Sequence, residues 1–137
     1  MPEVHKTQEF DIAPDELWGL IGDFHGIHKW VPGVEPSEAL DGGARRKLAM
    51  GPGSAIVERL LEEGERSYTY SIEEGPLPVQ NYRSTLSVKD AGDGKSLVDW
   101  RGTFDAAEGA TDEAAVQIVD MVYSGGLDGI SKTLANR

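Results

Sequence analysis

The sequence predicts an α+β protein: a seven-stranded, curved antiparallel sheet that wraps around a long C-terminal helix, with two short helices between strands 1 and 2. Three observations predict this class. The chain ends in one long amphipathic stretch, its middle is a run of short strand patterns separated by turn clusters, and the remaining helical patterns come directly after the first strand. Because strands and helices are segregated along the chain, we expect an antiparallel layer and no alternating βαβ units.

The long helix is predicted over 111–134. Its start is marked by Thr111, which can cap the helix, and by Asp112 and Glu113, which place negative charge in the first turn. Apolar residues recur at helical spacing and form one stripe, with Ile118 and Val122 at its edge. The stripe consists of Val116, Val119, Tyr123, Leu127, Ile130 and Leu134. A stripe this broad needs a broad surface to cover it, and a curved sheet would supply one.

Three glycines interrupt the same helix at Gly125, Gly126 and Gly129. Each costs about 1 kcal/mol relative to alanine in a helix, so their presence calls for a reason. One interpretation is that they leave room for a guest molecule or for close approach of the backbone; the other is a kink or a break in the helix.

Loose alternation over 3–12 predicts the first strand, and Pro14 marks the start of a short helix that carries Leu17, Trp18 and Phe24 into the core. A second short helix is expected around Ile27 to Trp30. Six further strands are predicted with turn-forming residues between them. They are Val34 to Leu40, Arg45 to Met50, Ala55 to Glu62, Arg66 to Glu73, Asn81 to Lys89 and Ser96 to Phe104.

Strand alternation predicts the side chains that face the helix. The inner faces of the last three strands are Tyr82, Ser84, Leu86 and Val88; Tyr68, Tyr70 and Ile72; and Val98, Trp100, Gly102 and Phe104. Four of these residues are aromatics with a polar group that needs a partner when buried, which favours a pocket over plain core filling. In AIVERLLEE, alternation leaves open whether Glu58 or its neighbours face inward.

Composition narrows the function classes. The 137 residues predict one domain, 1–137, and a net charge of −11 argues against binding to nucleic acid and to anionic lipid surfaces. No apolar run approaches the roughly 20 residues of a membrane span, so no membrane insertion is expected. No signal peptide or apolar span is recognisable, so we expect a cytoplasmic protein. The chain has no cysteine, and its few histidines, among them His28, show no ligand spacing, so no metal and no cofactor is expected.

The blocks PDELWGLIGDF, ERLLEEGERSYTYSIEEGPLPVQNYRSTLSV and YSGGL resemble the START-like, helix-grip superfamily (SRPBCC, Bet v 1-like) over about residues 5–134. The resemblance is strongest to bacterial polyketide cyclase and dehydrase-like proteins. It implies a hydrophobic-ligand cavity between the sheet and the C-terminal helix. It also implies that Glu58, Tyr82 and Ser84 point inward.

The sequence departs from the plant abscisic-acid receptors of this superfamily in two places. The segment MGPGS stands at their gating loop, and Glu35 stands at about the position of their ligand-pairing lysine. These departures argue against hormone sensing. The loop EEGPLPVQ, residues 73–80, holds apolar Leu77 and Val79 near a tip, where they act as a lid or pack against their own strands.

The leading hypothesis is a binding or carrier protein, monomeric or weakly dimeric, for a small hydrophobic or amphipathic ligand such as a lipid, isoprenoid or polyketide. The alternative is a polyketide cyclase or dehydratase-type enzyme, with Glu58 as base and Tyr82 or Tyr70 as donor to an enolate. A third possibility, a protein-interaction module, would have a filled core and an exposed apolar patch. The predicted ligand-binding residues are Trp30, Glu58, Tyr68, Tyr70, Leu77, Tyr82, Ser84, Trp100, Phe104, Val119 and Tyr123.

Overall fold

The computed structural model describes residues 2–31, 36–49 and 55–136. The helices are α1 (Pro14–Ile21), a 3-10 helix (Ile27–Lys29), a second 3-10 turn (Asp41–Gly43) and α2 (Asp112–Ala135). The strands are β1 (Glu3–Phe10), β2 (Glu38–Leu40), β3 (Arg45–Ala49), β4 (Ala55–Gly64), β5 (Ser67–Glu74), β6 (Val79–Gly92) and β7 (Lys95–Ala106). None of the helices in these ranges is long and apolar enough to cross a membrane.

The strands form one antiparallel seven-stranded sheet in the order β1-β7-β6-β5-β4-β3-β2. Every neighbour in this order except the β1–β7 pair is also a neighbour along the chain, as expected where short turns join successive strands. The first strand closes the sheet against the last one. This architecture, with the long helix after the last strand and short helices between β1 and β2, confirms the predicted α+β helix-grip fold.

Helix α2 begins where the sequence indicates, because the Thr111 hydroxyl accepts a hydrogen bond from the backbone N–H of Ala114 over 3.1 Å. Its buried face follows the predicted stripe through Val119, Tyr123, Leu127 and Ile130. At the two ends of the stripe the helix is less covered, and Val116 and Leu134 are half-buried.

The glycines do not break α2, which is continuous from Asp112 to Ala135. Gly126 lies directly against the sheet, since a Cβ placed on it would fall 2.6 Å from Cζ3 of Trp100. Gly125, by contrast, has open space around the same position. Close backbone approach therefore explains Gly126, and nothing in the structure explains Gly125.

Several predicted strand limits were wrong. The second strand starts at Glu38 and excludes Pro36 and Ser37, because proline has no N–H to donate to a neighbouring strand. Residues 34–35 and the MGPGS segment at 50–54 lie outside the described residues. Strand β6 is longer than predicted and begins at Val79, so the loop between β5 and β6 is reduced to residues 75–78.

Candidate functional site

A partly enclosed cavity of about 70 Å³ lies between the inner face of the sheet, the 3-10 helix Ile27–Lys29 and the middle of α2. Its walls are mainly aliphatic and aromatic, with polar groups from β3 to β6. The lining residues are Ile27, Val31, Arg46, Leu48, Ile56, Glu58, Tyr70, Ile72, Leu77, Tyr82, Trp100 and Val122. The volume holds a few water molecules or a small organic group.

Two oppositely charged side chains line this cavity. Arg46 donates from Nε to Oε1 of Glu58 over 2.8 Å, and its Nη2 lies 2.7 Å from the same oxygen. Arg46 also donates from Nη1 to the backbone carbonyl of Phe24. With relative exposures of 1% for Arg46 and 6% for Glu58, this is a buried ion pair, of the kind whose net stabilisation depends on full hydrogen bonding.

Aromatic rings enclose the guanidinium. Its central carbon lies 4.0 Å from the ring centroid of Phe24, 5.8 Å from that of Tyr68 and 5.5 Å from that of Tyr70. Stacking of this kind suits arginine, whose planar group is weakly hydrated and interacts with the ring faces. Arg46 is thus held by three elements of the fold and has little freedom to swing into the cavity.

Burial raises the pKa of the Glu58 carboxyl, and the adjacent Arg46 partly offsets this effect. Burial alone would lower the pKa of Arg46, but Glu58 and the neighbouring tyrosines outweigh it and the net direction is upward. An arginine side chain keeps its proton in proteins, so Arg46 stays charged. The geometry is that of an ion pair, with the carboxylate of Glu58 2.7 Å from Nη2 of Arg46 and neutralising the guanidinium inside the site.

Beside the ion pair lies a cluster of hydroxyl groups. The Tyr82 hydroxyl is hydrogen-bonded to that of Tyr123 and lies 3.4 Å from that of Tyr70. Ser84 Oγ lies 2.7 Å from the Tyr123 hydroxyl, and the indole N–H of Trp100 donates to the Tyr70 hydroxyl over 3.2 Å. Burial raises the pKa of Tyr123 to about 12 and raises that of Tyr70 and Tyr82 well above the ordinary tyrosine value.

The helix contributes Tyr123 to this cluster because the sheet leaves space for it. The ring of Tyr123 stacks on Trp100 with centroids 4.3 Å apart and planes inclined by 11°. Its hydroxyl occupies the place that a side chain on Gly102 would need. The glycine between Trp100 and Phe104 therefore leaves room for a side chain of the helix.

The predicted ligand-binding residues fall into two groups. Glu58, Tyr70, Leu77, Tyr82 and Trp100 line the cavity. The others are buried behind its wall or beside it, and several of them hold the first group in place. This second group is Trp30, Tyr68, Ser84, Phe104, Val119 and Tyr123.

Sequence reasoning missed Arg46 as a cavity residue. Alternation in RRKLA does contain the signal, because Arg46 is on the same face of β3 as Leu48, whereas Arg45 and Lys47 are on the other. An arginine on an inner face next to a strand that carries an undecided glutamate predicts a cross-strand ion pair. Val122, interpreted as an edge residue of the helix stripe, also lines the cavity while 40% exposed.

Within residues 2–31, 36–49 and 55–136, no group of three or more histidine, aspartate or glutamate side chains is arranged to hold a metal ion. His28 is half-buried, and its Nδ1 has no hydrogen-bond partner in this part of the chain.

Comparison with known proteins finds one family and several solved structures to which the chain is similar. The family described as polyketide cyclase / dehydrase and lipid transport matches residues 1–135. The chain is similar to the Bacillus cereus protein XoxI, with 38% identity, a TM-score of 0.91, and coverage of 96% of this chain and 94% of that one. An uncharacterised Bacillus thuringiensis protein has 38% identity and a TM-score of 0.89, with coverage of 94% and 96%.

A START superfamily protein from Mycobacterium smegmatis matches 98% of this chain and 95% of its own, with a TM-score of 0.70 and 15% identity, which shows a common fold alone. A comparison with curated proteins gives no match.

Proposed function

The chain belongs to the polyketide cyclase / dehydrase and lipid transport family, and from this premise we propose that it binds or carries a small hydrophobic or amphipathic molecule in the cavity beneath α2. The observation that carries the proposal is the composition of the cavity wall: aliphatic and aromatic side chains surround a small set of polar groups from Arg46, Glu58, Tyr70 and Tyr82. Ligand pockets are built in this way, with apolar burial for affinity and few polar groups for orientation.

Apolar burial supplies the driving force, at roughly 25 cal/mol per Å² removed from water. The inner wall offers Leu48, Ile56 and Ile72 from adjacent strands, and Trp100 on β7 adds an aromatic ring to the lining. Glu58 and the two tyrosines then select the orientation of the guest. The cavity volume of about 70 Å³ suits a compact guest or one part of a longer molecule, well below the roughly 300 Å³ at which drug-sized pockets begin.

A longer guest requires an exit from the cavity. Leu77 and Val122 lie where we expect this exit. Leu77 belongs to the β5–β6 loop and Val122 is partly exposed on α2, and both line the same cavity. Outward movement of the loop would extend the cavity to the surface of the protein. We therefore assign the loop the role of a lid over the apolar end.

Native mass spectrometry of freshly purified protein, followed by titration with fatty acids, isoprenoid alcohols and aromatic polyketides, tests the proposal. Binding is expected to change the fluorescence of Trp100, which lines the cavity, and of Trp30, whose ring centroid is 5.7 Å away. A saturable response to at least one class is the expected result. No co-purified molecule and no saturable response to any class would count against a binding function.

The second candidate is a cyclase or dehydratase-type enzyme that uses the same cavity. It is favoured by one observation: the Glu58 carboxylate and the hydroxyl groups of Tyr70 and Tyr82 line the same partly enclosed space. A carboxylate in such a site accepts a proton from carbon next to a carbonyl, and a nearby hydroxyl stabilises the enolate oxygen that forms. Holding the chain in one folded conformation supplies the rest of the rate enhancement.

The Glu58→Gln variant distinguishes the two candidate functions when its turnover and binding are measured with a linear poly-β-ketone. An enzyme should lose turnover while it still binds the compound, whereas a carrier should change only in affinity. Because Glu58 also neutralises Arg46, Thr85→Val on the outer side of β6 serves as a control for general loss of stability. Product formation, measured by mass spectrometry, and Kd are compared for the two variants and the parent protein.

A further inference from the structure

We infer that the solvent-exposed side of α2 is an interaction surface for a second copy of this chain, with the two α2 helices packed antiparallel. The inference does not depend on the proposed binding function. It follows from three features of α2: an exposed apolar stripe, a glycine beside open space, and the charges at the two ends of the helix.

Exposed apolar side chains are concentrated on α2. The large apolar residues that are exposed in the described part of the chain are Leu61, Ile118, Met121 and Val122, and three of these four lie on this helix. Met121 is 67% exposed. Ile118, Met121, Val122 and Gly125 follow helical spacing, so they form one stripe on the surface of the helix. A contiguous exposed stripe of this kind marks a contact with another molecule.

The stripe carries no charge, although the chain has a net charge of −11. The exposed residues of α2 from 117 to 125 are Gln117, Ile118, Met121, Val122, Ser124 and Gly125. A second copy can therefore approach here without bringing carboxylates together. A membrane surface is a poorer partner, because helices that lie on membranes are rich in lysine and arginine, whereas α2 has four acidic residues and one lysine.

Gly125 leaves room for another backbone to come close. A single copy of the chain gives no reason for this glycine, since a Cβ placed on it meets no atom within 4 Å. Ile118 and Gly125 lie on either side of the midpoint between Met121 and Val122, each about one helical turn away. When two α2 helices pack antiparallel about this midpoint, Ile118 of one copy lies against Gly125 of the other copy. The absent side chain then admits the isoleucine.

The two ends of α2 complement one another in the same arrangement. Asp112 and Glu113 lie in the first turn, and Lys132 lies in the last turn. Antiparallel packing brings Lys132 of each copy next to the acidic first turn of the other copy, as a two-fold interface requires. Lys132 is available for this contact, because its pair with Asp128 is largely exposed and therefore weak. Parallel packing would place the two acidic turns side by side.

The surface is narrow, so the dimer should be weak. A seam one helix wide buries well under the roughly 800 Å² per partner of a standard interface. The charge of −11 on each copy opposes association most strongly at low ionic strength, where it is least screened. We expect a Kd on the order of 100 μM that falls several-fold between about 20 mM and about 500 mM NaCl.

Sedimentation velocity from about 10 μM to about 1 mM protein measures the association. Met121→Glu places two carboxylates together near the two-fold axis and should raise the Kd of the dimer at least about tenfold. Leu61→Glu makes the same change of charge at an exposed position of β4 and should leave the Kd within about twofold.

Three results of these measurements would overturn the inference. The first is a protein that stays monomeric at the highest concentration, whether or not it binds phosphatidylcholine vesicles. The second is an equal effect of Met121→Glu and Leu61→Glu. The third is a Kd that rises with salt, because net attraction between charges would then carry the association in place of the apolar stripe.

Cross-linking tests the orientation of the helices. The chain has no cysteine, so a single introduced thiol forms a disulfide only with another copy. Under oxidation with copper phenanthroline, a mixture of Ile118→Cys and Gly125→Cys should give the mixed disulfide several-fold faster than either variant gives its own, because the two positions meet across the axis. Leu61→Cys is the control and should cross-link slowly. Fastest cross-linking of Ile118→Cys with itself, or equal rates for all pairs, would refute the antiparallel arrangement.

Discussion

Arg46 and Glu58 are direct cross-strand partners, opposite one another in the register of β3 and β4. The pairing places both side chains on the inner face of the sheet, where Nε of Arg46 donates to Oε1 of Glu58 over 2.8 Å. Strand register therefore places a charged pair in the wall of the cavity, and both members of the pair belong to strands. The sheet therefore sets the position of Glu58, the acid that orients a guest in our proposal.

Removing one member of this pair should destabilise the fold. Arg46→Met leaves the Glu58 carboxylate buried without a counter-charge, and we expect a loss of about 3–5 kcal/mol in the free energy of unfolding. Arg46→Met/Glu58→Leu should recover most of that loss, because neither charge remains. Urea denaturation of the parent, both single variants and the double variant gives the coupling energy of the pair.

The exposed pair of Lys132 and Asp128 provides a matched control, since its atoms are 3.0 Å apart but the side chains are 69% and 60% exposed. Lys132→Met should change the free energy of unfolding by about 0.5 kcal/mol or less. A coupling energy near zero for Arg46 and Glu58 would refute the buried ion pair.

Two adjacent glycines of α2 should respond to alanine in opposite ways. Gly126→Ala places a Cβ against the ring of Trp100 and should destabilise the protein by about 1–3 kcal/mol through overpacking. Gly125→Ala enters open space and should stabilise the helix by up to about 1 kcal/mol. Thermal unfolding followed by circular dichroism measures both, and a similar effect of the two substitutions would contradict the close approach of α2 to Trp100.

Alkaline pH should unfold the protein through its tyrosines. Burial raises the pKa of all four tyrosines of the chain, that of Tyr123 to about 12. The unfolded chain, with ordinary values near 10, loses its phenolic protons first as the pH rises. The stability that the neutral phenols contribute is thus fully present below about pH 10. It is lost as the pH rises through the tyrosine pKa values of the folded protein.

Absorbance at 295 nm and circular dichroism, recorded together from pH 8 to 13, check this expectation. Tyrosinate absorbance should appear together with the loss of secondary structure. Ionisation of one or more tyrosines near pH 10 with the fold intact would show that the corresponding hydroxyl is open to solvent.

Leu77→Ala should open the apolar end of the cavity. Leu77 lines the cavity from the β5–β6 loop, so its truncation is expected to raise the dissociation rate of a bound fatty acid or isoprenoid alcohol several-fold with little change in unfolding free energy. Stopped-flow displacement measures the rate. Leu61→Ala, at an exposed leucine of β4, is the control and should leave the rate unchanged. If the two variants released the compound at the same rate, the loop would not act as a lid.

The face of each regular strand was predictable from the sequence, because side chains alternate and the buried inner positions of β6 and β7 other than Ser84 and Ser96 are apolar or aromatic. Tyr82 and Trp100 were placed inward on this ground and are buried. Alternation did not predict the inner face of AIVERLLEE, because apolar residues lie on both faces of this strand. In the structure both Val57 and Glu58 are buried, next to an irregularity in the β4–β5 pairing that lies between them.

The order of strands and helices, the capped long helix and the aromatic inner faces were determined by the sequence alone, because each depends on local periodicity and on residues a few positions apart. The tertiary structure decided which distant residues meet. Arg46 and Glu58 are 12 positions apart, and Tyr82 and Tyr123 are 41 positions apart. Their contacts depend on strand register and on how closely α2 packs. Alternation gives the face on which each residue lies, but it does not give the partner that the residue meets there. The cavity, its buried ion pair and its cluster of hydroxyl groups arise from those contacts.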